Sequence, residues 1–254
     1  MSRDEPREAG PAPRKERKSP GGIEAAPPVQ RRIQVERTAR YWLLGAEGSS
    51  EPTETWVVLH GYRQLARRFL WRFQAVAVPT RLIVAPEGLS RFYVESGLGR
   101  HGPASHVGAS WMTREERDAE IRDYVAYLDA VLADVEKDRA SLGSITILGF
   151  SQGVATAARW AVLGKVRPVR LILWGDTLPP DLDPDRAADR LSGVEILRVR
   201  GREDGALEPD RMEEEERVLT RAGLQSPIVS YPGGHDIHRA TLLELAGGGR
   251  ASSG

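Results

Sequence analysis

The segment Gly149-Phe150-Ser151-Gln152-Gly153 constrains the fold of this chain more than any other. The apolar, β-branched run 144–148 precedes it, and Val154-Ala155-Thr156-Ala157-Ala158 follows. A strand must therefore turn into a helix within a few residues, with a serine at the corner. Glycines two residues to either side keep the two arms of so sharp a turn from colliding, and the small alanines suit a helix packed close on a sheet. The serine hydroxyl is predicted to stand above the strand at a helix N-terminus, where the dipole favours developing negative charge. Phosphate-binding loops use similar turns, but the lysine of the nucleotide-loop motif is missing. A glycine-bounded turn without chemistry is the plainer alternative. Strand, corner and helix together favour a nucleophile at Ser151.

Runs with strand character occur at 33–35, 40–44, 55–59, 81–85, 144–148, 169–174, 194–199 and 228–231. The later ones are nearly continuously apolar, as strands buried on both faces should be. Helical patterns lie between them at 64–78, 152–164, 209–222 and 237–246. Another opens at the capping box Thr113-Arg114-Glu115-Glu116, with Ile121, Tyr124, Val125, Leu128, Leu132 and Val135 as its apolar stripe. Two leading strands in a hairpin, then strands alternating with helices, predict a mostly parallel sheet covered on both faces. In such sheets chemistry gathers at the carboxyl ends of the strands.

Composition narrows the function. Lysine plus arginine and aspartate plus glutamate each number 36, so no basic excess points to nucleic acid. The absence of cysteine excludes disulfide frameworks, thiolate zinc sites and cysteine nucleophiles. No run approaches the ~18 apolar residues of a membrane span, and the polar first residues lack a secretory signal pattern, so a cytoplasmic protein is expected. Residues 1–30 are rich in proline, glycine and charge and read as a disordered tail, with a catalytic domain over 31–246 and a flexible tail over 247–254.

On an open parallel sheet with a nucleophilic serine, acid and histidine follow it in chain order. His235 and His238 are the only histidines after Ser151. His235 lies on the glycine-softened loop after the last strand, whereas His238 falls within the following helix. The run 194–199 ends in Arg200-Gly201-Arg202-Glu203-Asp204, making Asp204 the preferred acid, with Asp176 and Glu203 as rivals. An oxyanion hole needs two backbone N–H groups. Gln152 supplies one, and Tyr62, in the His60-Gly61-Tyr62-Arg63 loop after 55–59, supplies the other. His60 reads as a structural histidine.

These residues resemble the carboxylesterase/phospholipase family of α/β-hydrolases, which includes acyl-protein thioesterases. The resemblance rests on LHGY at 59–62, APEG at 85–88, SWM at 110–112, GFSQG at 149–153, the stretch ending at Asp204, and GGH at 233–235. It spans about 55–240 and implies an α/β-hydrolase fold with a mostly parallel eight-stranded sheet. The implied triad is Ser151, Asp204 and His235, with Tyr62 and Gln152 as oxyanion donors. Arg63 departs from the family, which usually has glycine there. The long connection 86–112 reads as a binding element, and Trp111, Tyr93 and Trp174, with Arg63, are the expected substrate contacts.

The expected reaction is hydrolysis of short- to medium-chain carboxylic esters through an acyl-enzyme, without metal or organic cofactor. A thioesterase or lysophospholipase with the same triad is one alternative; a catalytically silent binding module is another. The expected partner is a small-molecule ester, with neither nucleic acid nor a membrane span involved, and the chain is expected as monomer or homodimer. Because residues 1–30 lack a core-forming pattern, deleting them should leave the melting temperature and ester turnover unchanged. A large fall in melting temperature on truncation would show that the segment is part of the folded unit.

Overall fold

The computed structural model describes residues 28–46, 51–95 and 100–247. The chain separates into two units after Arg37. In the first, residues 28–37 are exposed and form neither helix nor strand. The strand expected at 33–35, and the hairpin built on it, are therefore absent. Ile33 and Val35 are 86% and 76% exposed, and two apolar side chains among Arg31, Arg32, Glu36 and Arg37 bury too little to offset ordering the backbone. The tails expected at 1–30 and 247–254 lie outside the described residues, apart from 28–30 and Gly247.

The second unit opens with β1 (Tyr41–Leu44), β2 (Glu54–Leu59) and α1 (Ala66–Leu70), which runs directly into a 3₁₀ turn (Trp71–Val76). Next come β3 (Arg81–Pro86), a small antiparallel pair β4 (Ser90–Tyr93) and β5 (Val107–Ser110), and α2 (Arg117–Glu136). The remainder alternates: β6 (Ser144–Phe150), α3 (Gln152–Leu163), β7 (Arg170–Trp174), α4 (Pro184–Arg190), β8 (Glu195–Gly201), α5 (Pro209–Arg221), β9 (Ile228–Tyr231) and α6 (Arg239–Ala246). The main sheet has the order β1-β3-β2-β6-β7-β8-β9. It holds seven strands rather than the expected eight, because 33–35 contributes none. β1 is antiparallel to β3, and all other pairs are parallel.

Alternation along the strands builds two cores. Val57, Leu59, Leu82, Val84, Ile147, Leu171 and Leu173 face α2 and α3, whereas Trp56, Val58, Ile83, Ala85, Leu148, Phe150, Ile172 and Trp174 face α1, the 3₁₀ turn and α6. Both faces are thus dry, which is why these strands read as unbroken apolar runs. In α2 the expected stripe Ile121, Tyr124, Val125, Leu128, Leu132 and Val135 is buried. Its start differs from expectation. Glu116 is the N-cap residue, in a left-handed conformation, and Thr113 N–H is taken by the carboxylate of Glu120 rather than that of Glu116. The capping box therefore does not form at 113–116; the chain makes one more turn before the helix begins.

The connection 86–112 is likewise not a plain loop. Ser90 pairs with Ser110 and Phe92 with Gly108 in the β4–β5 pair. Four-residue strands carrying Ser, Arg and Gly give too weak an alternation to be read from sequence.

Buried charge secures the far edge of the sheet. Arg198 and Arg200 on β8 point to the α5 side, where fully buried Glu215 accepts from Arg198 Nη1 at 3.1 Å and from Arg200 Nη2. The other oxygen of Glu215 accepts Leu178 N–H at 2.9 Å, tying the loop after β7 to α5. Removing one partner of such a pair strands the others without water. Glu215→Ala should therefore cost about 3–5 kcal/mol of unfolding free energy. A denaturant midpoint within experimental error of wild type would refute this account of the β8–α5 interface.

Candidate active site

Ser151 sits between β6 and α3 with φ 52° and ψ −122°, a combination that L-residues avoid. Such strain costs on the order of 1–3 kcal/mol and persists only where the surroundings over-determine it. Here they do. A Cβ on Gly149 would come within 2.3 Å of Gly153 O, and a Cβ on Gly153 within 2.2 Å of Leu59 O. The backbones of β2, β6 and α3 thus meet with no space for side chains. Ser151 N–H donates to Trp174 O at 2.9 Å, which anchors the corner to the end of β7.

The turn after β2 lies directly over this corner: a Cβ on Gly61 would be 3.2 Å from Ser151 Cβ. Gly61 N–H donates to Gln64 Oε1 at 2.9 Å, Gln64 N–H to Gly61 O at 3.2 Å, and Arg63 N–H to Ala109 O at 3.0 Å. Among the described residues Tyr62 N–H has no protein acceptor. Gln152 N–H, at the first position of α3, has no acceptor within the helix, as is general for first-turn N–H groups. These are the two N–H groups that the sequence suggests for an oxyanion hole.

His235 and Asp204 meet as expected. His235 Nδ1 lies 2.8 Å from Asp204 Oδ2, and the Asp204 side chain is completely shielded from solvent. Asp204 Oδ1 accepts Ala206 N–H at 3.0 Å. With Nδ1 engaged, Nε2 is the ring atom left for other work. The imidazole lies against Phe150, the residue before Ser151: its ring centre is 5.0 Å from that of Phe150, and a Cβ on Gly175 would be 3.2 Å from its Cε1. The loop carrying it is pinned from below. Trp174 Nε1 donates to Asp236 O at 3.0 Å, and Tyr231 Oη lies 2.8 Å from Gly234 O.

Of the rival acids, Asp176 lies near enough to His235 to feel its charge but is bonded to other groups. Asp176 Oδ1 accepts from Arg211 Nη2 at 2.9 Å and from Thr177 N–H at 2.8 Å, and burial raises its carboxyl pKa. Glu203 is exposed, with its N–H on Gly233 O. His238 is the N-cap of α6 rather than a residue within it, with its ring stacked on Tyr231.

The expected substrate contacts divide. Arg63 is exposed at the edge of the oxyanion turn, with φ 68°, a left-handed value that explains why glycine suits this position. Tyr93 is half-exposed on β4, stacked on His101 at 3.9 Å. Trp111 and Trp174 are both buried beneath the site loops. Trp111 Nε1 donates to His60 O at 2.8 Å, so this ring supports the turn after β2 from below rather than presenting an open wall.

Sequence reading missed the side chains that tie these loops together. Gln152 was singled out for its backbone, yet its side chain accepts Trp111 N–H at 3.1 Å and donates to Met112 O at 2.9 Å. Buried Glu87, in the APEG segment, pairs with Arg40 Nε at 2.6 Å and accepts Ala66 N–H at the start of α1. His60 donates or accepts on both sides of its ring: Nδ1 lies 2.8 Å from Gly61 O, and Gly88 N–H donates to Nε2 at 3.0 Å. A carbonyl accepts only and an N–H donates only, so the ring is neutral with its proton on Nδ1. No motif marks these links, because each partner is far away in sequence.

The chain matches no protein-family model and no curated protein sequence. Solved structures do match. A carboxylesterase from Mesorhizobium loti is 23% identical with a TM-score of 0.62, over 82% of this chain and 93% of that one. Zea mays acyl-protein thioesterase 2 is 18% identical with a TM-score of 0.61, over 83% and 97%. Esterase PE8 is 20% identical with a TM-score of 0.59 over the same shares. The fold of this chain is the α/β-hydrolase fold. Among the described residues, no helix is long and apolar enough to cross a membrane.

Burial pushes the pKa of His60 down to about 4. An unfolded histidine takes up its proton near pH 6.5, so between pH 6.5 and 4 the unfolded state binds more protons and stability falls on acidification. The loss amounts to roughly 3 kcal/mol once pH reaches 4. His60→Gln should start less stable but show a shallower fall in melting temperature from pH 7 to pH 4. Parallel curves for the two proteins would show that His60 is not the group responsible.

Proposed function

We propose that this protein is a serine hydrolase that cleaves short- to medium-chain carboxylic esters through an acyl-enzyme on Ser151. The observation that supports the reading is the shielded Asp204–His235 Nδ1 hydrogen bond, with the imidazole against Phe150, next in the chain to strained Ser151. Asp204 holds the imidazole with its proton on Nδ1 and offsets the charge of the imidazolium. His235 Nε2 takes the hydroxyl proton as Ser151 Oγ bonds to the ester carbonyl carbon. The carbonyl oxygen becomes an oxyanion held by Tyr62 and Gln152 N–H. The tetrahedral adduct collapses, the alcohol leaves with the proton from His235, and water repeats the sequence on the acyl-enzyme.

The site loops support a modest acyl group. With Trp111 and Trp174 packed beneath them, the aromatic surface left beside the turn is that of Tyr62, Phe92 and Tyr93. The likeness to an acyl-protein thioesterase supports a second reading, in which the same residues act on a thioester. A series of matched acyl esters and thioesters separates the two. Labelling by a fluorophosphonate separates both from a silent binding module.

Ser151→Ala should abolish ester hydrolysis and probe labelling while the protein stays folded. Asp204→Asn should lower turnover by roughly 10⁴, the loss known when a triad acid no longer selects the imidazole tautomer. Asp176→Asn should have a far smaller effect, since its carboxylate is committed to Arg211 and Thr177. A crippled Asp176→Asn beside a nearly intact Asp204→Asn would transfer the role to the earlier strand and overturn the assignment.

A further inference from the structure

A cavity of about 210 Å³ opens beside the oxyanion turn, and its lining includes Arg63, Gln64, Arg68, Phe69 and Arg72 but no acidic residue. We propose that this cavity is an anion subsite, so that the preferred ester carries a carboxylate or phosphate in addition to the bond that is cleaved. The proposal deepens the hydrolase reading and rests on it.

Position ties the cavity to the chemistry. Gln64 on its wall accepts Gly61 N–H, and Gly61 lies against Ser151. Phe69 stacks on Phe150, the residue before the nucleophile, with ring centres 5.9 Å apart. Arg72 reaches Asp236, next to His235, at 2.5 Å. The cavity lined by the three arginines is thus tied at Gln64 to the turn beside Ser151 and at Arg72 to the histidine loop.

Their charge is locally unbalanced although that of the whole chain is zero. Among the described residues neither Arg63 nor Arg68 has a carboxylate within ion-pair distance, and the partner of Arg72, Asp236, is itself 58% exposed on its side chain. Arg63 holds its place despite a left-handed backbone that disfavours a side chain, a strain that points to use of the residue. Guanidinium forks match the two oxygens of a carboxylate or phosphate. In an open cavity the attraction is screened by solvent and weakened by salt.

The test compares kcat/KM for para-acetoxybenzoate with its neutral methyl ester, and for p-nitrophenyl hydrogen adipate with p-nitrophenyl hexanoate, each corrected for the spontaneous rate. Para-acetoxyphenyl phosphate distinguishes phosphate from carboxylate. An anionic member of either pair should be preferred by about tenfold, the size of one solvent-accessible charge-assisted hydrogen bond. That ratio should fall at least several-fold in Arg68→Gln and in 0.5 M salt, by roughly the factor it gained from the charge. Calorimetric titration of para-hydroxybenzoate and inorganic phosphate into wild type and the folded Arg63→Gly/Arg68→Gln variant reads binding without turnover, with binding to wild type alone expected. Ser151-dependent turnover with no preference for the anion, or with a preference unchanged in Arg68→Gln, overturns the subsite and leaves the hydrolase reading standing. Anion binding lost in the double variant, with no turnover of any ester, overturns the hydrolase reading instead. Absence of both binding and turnover overturns both.

Discussion

The close contact of three backbones at Gly149, Gly153 and Leu59 is the constraint on which the site depends. β2 and β6 are hydrogen-bonded neighbours in the centre of the sheet, with Leu59 opposite Gly149. α3 must leave the end of β6 and pass back over β2 without a side chain between them. That approach forces Ser151 into a backbone conformation it would not adopt alone, and the cost is carried by the buried strands on either side. The same contact sets the turn after β2, because the chain leaving Leu59 runs immediately past Ser151. Ser151 and the turn at 60–63 are therefore placed by one packing event.

Around this contact the segments LHGY, APEG, SWM and GFSQG form one hydrogen-bonded unit. His60 joins the turn after β2 to Gly88, Trp111 joins the segment after β5 back to His60, and the Gln152 side chain joins α3 to residues 110–112. Four stretches separated by up to ninety residues, LHGY, APEG, SWM and GFSQG, thus share their polar partners. A buried polar group left unpaired costs far more than a paired one contributes, so no member of such a unit can change alone. On the proposed reading this rigidity has a chemical use, since donors held in place before the reaction need no reorganisation when negative charge develops.

Charge in this protein is sorted by burial rather than by amount. Glu87 and Glu215 are fully buried, and each is matched by arginines and backbone N–H groups, so they act as struts between loops and helices. Asp176, just after β7, is ion-paired with Arg211 at 2.9 Å. Arg63 and Arg68, by contrast, have no carboxylate within ion-pair distance among the described residues, and Arg72 pairs with the exposed Asp236.

How much of this was legible beforehand follows from the range of the forces involved. The parallel strands of the main sheet read correctly because both their faces are buried, and the elbow read correctly because strand, glycines and helix are contiguous. The meeting of Asp204 and His235 was legible from chain order and their positions just after strands. The strand expected at 33–35 failed because two apolar residues carry a pattern without enough area to bury. The β4–β5 pair and the displaced start of α2 escaped because their signals are short and their partners distant. Only tertiary structure decided that Trp111 and Trp174 lie beneath the loops, that Gln152 clamps a segment forty residues away, and that Arg63, Arg68 and Arg72 share a cavity. By itself, the sequence determined periodicity, turn chemistry and the order of candidate residues, since these depend on neighbours along the chain. Which side chains met was decided by packing, because contact energies between distant residues have no local signature.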